Sequence, residues 1–114
     1  MVVNEHLKEP VRQVIALLVA GKYAELETVT HGIRLKAKDM ATAVAEYGKK
    51  LIQPPDDGFG LMNVVEVKNG CQRRWSIAMP LWTQEEGRSD LTLEMTVIEQ
   101  QNDFAIELDD LHVL

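Results

Sequence analysis

Leu81-Trp82-Thr83-Gln84-Glu85-Glu86-Gly87-Arg88-Ser89-Asp90-Leu91-Thr92-Leu93-Glu94 is the stretch that decides the fold. It reads as a strand end, a charged turn and the strand that returns from it. Successive side chains of a strand point to opposite faces, so Arg74 to Thr83 places Trp75, Ile77, Met79 and Leu81 on one face and Arg74, Ser76, Ala78, Pro80 and Trp82 on the other. Pro80 has no amide to give a ladder and predicts a bulge or an edge position. After the turn, where Gly87 suits a positive φ, Ser89 to Glu99 alternates most cleanly. Leu91, Leu93, Met95 and Val97 face one way, and Asp90, Thr92, Glu94 and Thr96 the other. One face is expected to be core and the other wet or functional.

Working outward, Leu61 to Lys68 has the β-branched content of a strand and closes on Asn69-Gly70, a strong hairpin dipeptide. Phe104, Ile106 and Leu108 predict a last strand. Leu111 and Val113 break parity with them, and a bulge at Asp109-Asp110 restores it. Gln53-Pro54-Pro55-Asp56-Asp57-Gly58-Phe59-Gly60 cannot continue a helix and reads as a linker.

Before that linker the apolar period is helical. Glu9-Pro10 is expected to open a helix, with Val11, Val14, Ile15 and Leu18 on one face and Gly21 ending it. A short second helix is expected to turn Tyr23, Leu26 and Val29 inward. Ile33-Arg34-Leu35 reads as extended. A third helix from about Ala37 carries Met40, Ala41, Val44, Tyr47 and Leu51, with Gly48 weakening its last turn. Helices followed by strands segregate into layers. The expectation is therefore one α+β domain over 1–114, with a helical half 8–52, a loop 53–60 and a sheet half 61–114. Two to three helices would pack on a curved four-stranded antiparallel sheet. A sheet wrapped round its helices into a cone is the arrangement of the nuclear transport factor and ketosteroid isomerase superfold, which hosts enzymes, binders and scaffolds alike.

A chain of 114 residues can hide roughly two-thirds of its unfolded surface, enough for one core without staples. Cys71 is the only cysteine, so neither an intramolecular disulfide nor a cysteine metal cage is available within one chain. It reads as a small structural residue near a turn. With no apolar run long enough to span a bilayer and no basic start or cleavage site at the N-terminus, a cytoplasmic location with no membrane partner is expected. The net charge is −6. Residues 85–114 hold nine acidic side chains against Arg88 alone. Such a surface repels phosphate backbones and attracts basic proteins, so no nucleic-acid partner is expected.

The pattern Arg74-Trp75-Ser76, then Leu81 through Glu94, then Asp109-Asp110-Leu111-His112-Val113-Leu114 resembles a family of small, uncharacterised bacterial proteins. Gly21-Lys22-Tyr23 and Pro54-Pro55 fit the same pattern. The resemblance implies the fold and carries no activity with it. In charge and size the chain also resembles immunity proteins of bacterial toxin systems.

No catalytic or metal signature and no cofactor motif is assembled in the sequence. His6, His31 and His112 lack metal spacing. Asp90 and Glu94 project from one face roughly 13 Å apart, and Glu107 and Asp109 on the next strand could oppose them as a paired acid–base site. His112 has Asp109 and Asp110 beside it in sequence. The leading expectation is a non-enzymatic protein-binding domain, such as an immunity or inhibitor protein. Its basic partner would meet Trp82, Glu85, Glu86, Arg88, Asp90, Glu94, Asp109 and Asp110, with Trp82 either an exposed hot spot or packed under the Pro54-Pro55-Asp56 loop. The alternative is a small-molecule binder or enzyme with a pocket lined by Tyr47, Trp75, Met79 and Met95. A homodimer through the exposed sheet face is compatible with either.

Overall fold

In the computed structural model, which describes residues 2–68, 72–101 and 103–114, three helices precede five strands. The helices are α1 (Val2–Val19), α2 (Tyr23–Thr30) and α3 (Ala37–Tyr47). The strands are β1 (Leu51–Ile52), β2 (Asn63–Lys68), β3 (Arg73–Thr83), β4 (Gly87–Gln100) and β5 (Asp103–Val113). This is the expected α+β layout, helices packed on a curled antiparallel sheet. The Asn69-Gly70 hairpin turn and Cys71 lie outside the described residues.

Strand β3 organises the sheet. It pairs with β4 along one side, and β4 carries β5 beyond it. Its other side is shared end to end: β2 takes Arg73 to Ala78, and β1 takes Trp82 and Thr83. The segment between β1 and β2 is no passive linker. It folds into a short 3-10 helix, Asp56–Leu61, that buries Phe59.

The alternation predicted for the central hairpin holds. Trp75, Ile77, Met79, Leu81, Leu91, Leu93, Met95 and Val97 are all buried in one core cluster. Their inner face receives the helices, through Leu7, Val11, Val14, Ile15 and Leu18 of α1, Leu26 of α2 and Met40 of α3.

Four expectations for the helical half are corrected. Helix α1 begins at Val2, and Pro10 lies inside it. The apolar stripe starts with the fully buried Leu7, and that burial carries the helix through a residue that removes one backbone bond. In α2, Val29 is exposed and Thr30 is buried instead, its hydroxyl donating to the Leu26 carbonyl at 2.8 Å. Residues 33–36 are bend and coil with no strand pairing, and only Leu35 of the predicted extended trio is buried. Helix α3 stops at Tyr47 because Gly48 takes a left-handed C-cap, so Leu51 is buried as part of β1.

The two outer ends of the chain are tied down by charge. Lys8 and Arg12 of α1 both reach Asp56, at 3.0 and 2.6 Å, and the Arg12 guanidinium lies 4.8 Å from the Phe59 ring centroid. Arg34, in the loop after α2, pairs with Asp109 on β5.

Candidate functional site

Pro80 cannot donate to β4, and the ladder yields at that point. Pairing jumps from Pro80 opposite Thr92 to Trp82 opposite Arg88. One residue of β3, Leu81, therefore faces three of β4: Ser89, Asp90 and Leu91. The Leu81 carbonyl is met by the Ser89 hydroxyl at 2.8 Å, and the Ser89 oxygen accepts from the Leu91 amide at 3.2 Å. The Asp90 carbonyl accepts from the Thr92 hydroxyl and from the Leu114 amide, at 3.2 and 3.0 Å. Three backbone groups at the bulge, the Leu81 and Asp90 carbonyls and the Leu91 amide, thus have partners. The bulge opens a cleft of about 480 Å³. Arg88, Asp90, Thr92 and Glu94 line it along β4, and Leu61, Pro80 and Leu114 supply apolar wall.

The turn that feeds this cleft is fixed from the helical side. Glu86 accepts hydrogen bonds from the Tyr47 hydroxyl at 2.8 Å and the Thr83 hydroxyl at 3.0 Å. Glu85 accepts from the Lys50 amide at 3.1 Å. Gly87 has φ +75°, which permits the tight return. Tyr47 is held above its ordinary pKa of 10.0, first by burial and then by the bond to Glu86.

A second irregularity sits on β5. Glu94 pairs with Asp110 and Met95 with Leu108, so Asp109 is the extra residue, inside the pair of residues where the sequence places a bulge. The bulge undoes the paired acid–base site expected of Asp90, Glu94, Glu107 and Asp109. Glu107 falls opposite Thr96, and Asp109 is taken up by Arg34 and by the Thr96 hydroxyl at 2.8 Å. Glu94 and Asp110 are brought together instead. His112 stands between them, Nε2 3.4 Å from Glu94 and Nδ1 3.1 Å from Asp110. The Nδ1 approach is close in distance but too poorly aligned to count as a hydrogen bond. Among the described residues no group of three or more His, Cys, Asp or Glu side chains is arranged to hold a metal ion.

The expected surface residues therefore divide. Arg88, Asp90 and Glu94 share the cleft, with Asp110 next to Glu94. Glu85, Glu86 and Asp109 serve as internal ties. Trp82 is half-buried, its ring lying over Gly58 so closely that a Cβ there would sit 2.9 Å from Cη2. Of the two readings open for Trp82, the structure takes packing, because the 3-10 segment that follows Pro54-Pro55 folds back onto it. The interior pocket is not formed as expected either. Met79 and Met95 are fully buried and Trp75 nearly so, all within the core cluster. Tyr47 alone of that set lines a cleft, one of about 350 Å³ shared with Leu111 and His112 between α3 and β5.

Ser89, Thr92, Leu61 and Leu114 were not expected at a site, whereas His112 does meet one of the two carboxylates beside it in sequence, Asp110. Ser89 did carry a signal. It has the parity of Leu91 and Leu93, so a hydroxyl stands where an apolar side chain is due, nearly opposite a proline.

A curled antiparallel sheet backed by helices, with a bulge cleft on its other face, defines the class as an α+β domain. The chain belongs to the family of a domain of unknown function, DUF7668, whose model matches residues 15–114. An uncharacterised family is also what the sequence resemblance implies. No curated protein and no solved structure matches the chain. No helix among the described residues is long and apolar enough to cross a membrane.

Proposed function

We propose that the chain is a binding domain without chemistry of its own, and that a basic protein docks on the outer face of its sheet, as it would on an immunity or inhibitor protein. The observation that supports this reading is the register. It gathers Asp90, Glu94, Glu107 and Asp110 on the face opposite the helices, while Asp109, Glu85 and Glu86 are spent on internal ties. A face so charged steers cationic partners and disfavours anionic ones. The helix-backed, bulged sheet also supports kinship with the cone-shaped superfold, here with its interior filled by Met79 and Met95.

The test is photo-crosslinking in cells from a probe at position 76, exposed on the same face of the sheet, comparing the otherwise native chain with the quadruple variant Asp90→Lys, Glu94→Lys, Glu107→Lys, Asp110→Lys. A discrete basic protein, crosslinked by the native chain and lost from the variant, is expected. Reversal of Glu25 and Glu46, both exposed on helices, should leave it in place. Equal crosslinking by all three chains would reject the reading.

A further inference from the structure

The outer-face cleft at the Pro80 bulge has a composition that a general acidic surface does not need. Arg12, Arg34 and Arg73 each hold a carboxylate: Asp56, Asp109 and Glu66 respectively. Arg88 and Asp90 lie two residues apart on β4 and both line the cleft, yet among the described residues neither has an ion-pair partner, not even the other. The bulge between Arg88 and Thr92 breaks the regular spacing that would let them meet. Farther along β4, Glu94 adds a second carboxylate, with His112 Nε2 3.4 Å from its Oε2. Between the charges the wall is apolar, and two of the chain's exposed large hydrophobics, Leu61 and Leu114, both belong to it.

A ligand that satisfies all of these groups carries one anionic group, two cationic groups and an aliphatic connection. We propose that the cleft binds a free basic α-amino acid of the lysine class. Its carboxylate pairs with the Arg88 guanidinium, whose planar fork suits bidentate contact. Its α-ammonium meets Asp90. Its four-carbon stem lies over Pro80 and the leucines, as lysine stems do on apolar surface. The side-chain ammonium then reaches Glu94. Asp90 and Glu94 both line the cleft, four residues apart on β4, and the extended ligand spans between their carboxylates. The lining side chains are net negative by one charge and the ligand net positive by one. A phosphate or dicarboxylate ligand would find two carboxylates against one guanidinium, and a simple apolar ligand would leave the Arg88 and Asp90 charges covered without partners.

Calorimetric titration of the full chain tests the assignment. L-lysine is expected to bind saturably. L-norleucine, which lacks the side-chain ammonium, cadaverine, which lacks the carboxylate, and Nα-acetyl-L-lysine should each bind roughly tenfold or more weakly. Arg88→Gln should weaken lysine by a similar factor and leave cadaverine unchanged, and Glu94→Gln should weaken lysine and leave norleucine unchanged. Circular dichroism checks that both variants keep the fold. Absence of saturable lysine binding to the native chain overturns the proposal, as does an Arg88→Gln chain that binds lysine as well as the native one. Equal affinity for lysine and for the tripeptide Gly-Lys-Gly also overturns it, because the cleft would then read only a side chain. The inference stands on the cleft alone: lysine can bind although no basic protein is crosslinked, and the reverse.

Discussion

Glu94 and Asp110 stand directly opposite one another on β4 and β5, and the His112 imidazole lies between their carboxylates. Like charges paired across strands destabilise a sheet, and an imidazole supplies an N–H between them. Replacing His112 by alanine is expected to cost up to about 1 kcal/mol in urea unfolding. Adding Glu94→Gln should recover much of that loss by removing one of the opposed charges. A double variant no more stable than His112→Ala would contradict the account.

Tyr47 joins the end of α3 to the β3–β4 turn through Glu86. Loss of the hydroxyl in Tyr47→Phe should cost about 1 kcal/mol at neutral pH. The folded-state pKa of Tyr47 is raised, by burial first and by Glu86 next, so its contribution is complete below 10.0 and is lost as the pH rises through the folded value. The stability gap between native chain and variant should therefore narrow in alkali, measured by denaturant unfolding across that range. A gap independent of pH would show that the bond does not matter to folding.

Asp56 binds α1 to the 3-10 segment with the opposite sign. Its hydrogen bonds from Arg12 and then Lys8 hold the carboxyl below its ordinary 3.8. The tie is complete above that value and disappears as the pH falls through the lower, folded one. Asp56→Asn should be less stable than the native chain at neutral pH and indistinguishable from it in strong acid. Because the carboxylate is exposed, added salt should shrink the neutral-pH difference as well.

Gly58 has no room for a side chain. A Cβ there would meet Trp82 Cη2 at 2.9 Å and Cζ2 at 3.1 Å. Gly58→Ala should displace the indole and destabilise the fold by roughly 1–3 kcal/mol. Near-ultraviolet circular dichroism should change with it, since Trp82 is one of two tryptophans. An unchanged spectrum and midpoint would mean that the ring has another place to go.

Where side chains alternate with period two, the fold was legible residue by residue. Every inward assignment from Trp75 to Leu81 and from Leu91 to Val97 is buried. Pro80 announced a bulge because a missing amide is visible in any sequence. The helix boundaries were less legible, since burial of Leu7 overrides the usual meaning of Pro10, and no local rule reports that burial. The site was half legible. Arg88, Asp90 and Glu94 share a face by parity, but the residue that faces Glu94 depends on which of Asp109 and Asp110 is extra. A one-residue slip moves every partner. Trp82 stayed open between exposure and packing for a tertiary reason: what covers it arrives from more than twenty residues upstream.

Strand β3 is partner to β1, to β2 and to β4, whereas β1 and β2 never pair with each other. On the ribosome this imposes an order. The three helices are made before Arg73, but no strand made before it has a neighbour until β3 has been synthesised. A nascent chain halted at that point has helices and no sheet to bury them, and its apolar stripes are left to chaperones. Assembly of this protein waits on eleven residues, Arg73–Thr83, that lie past the middle of the chain.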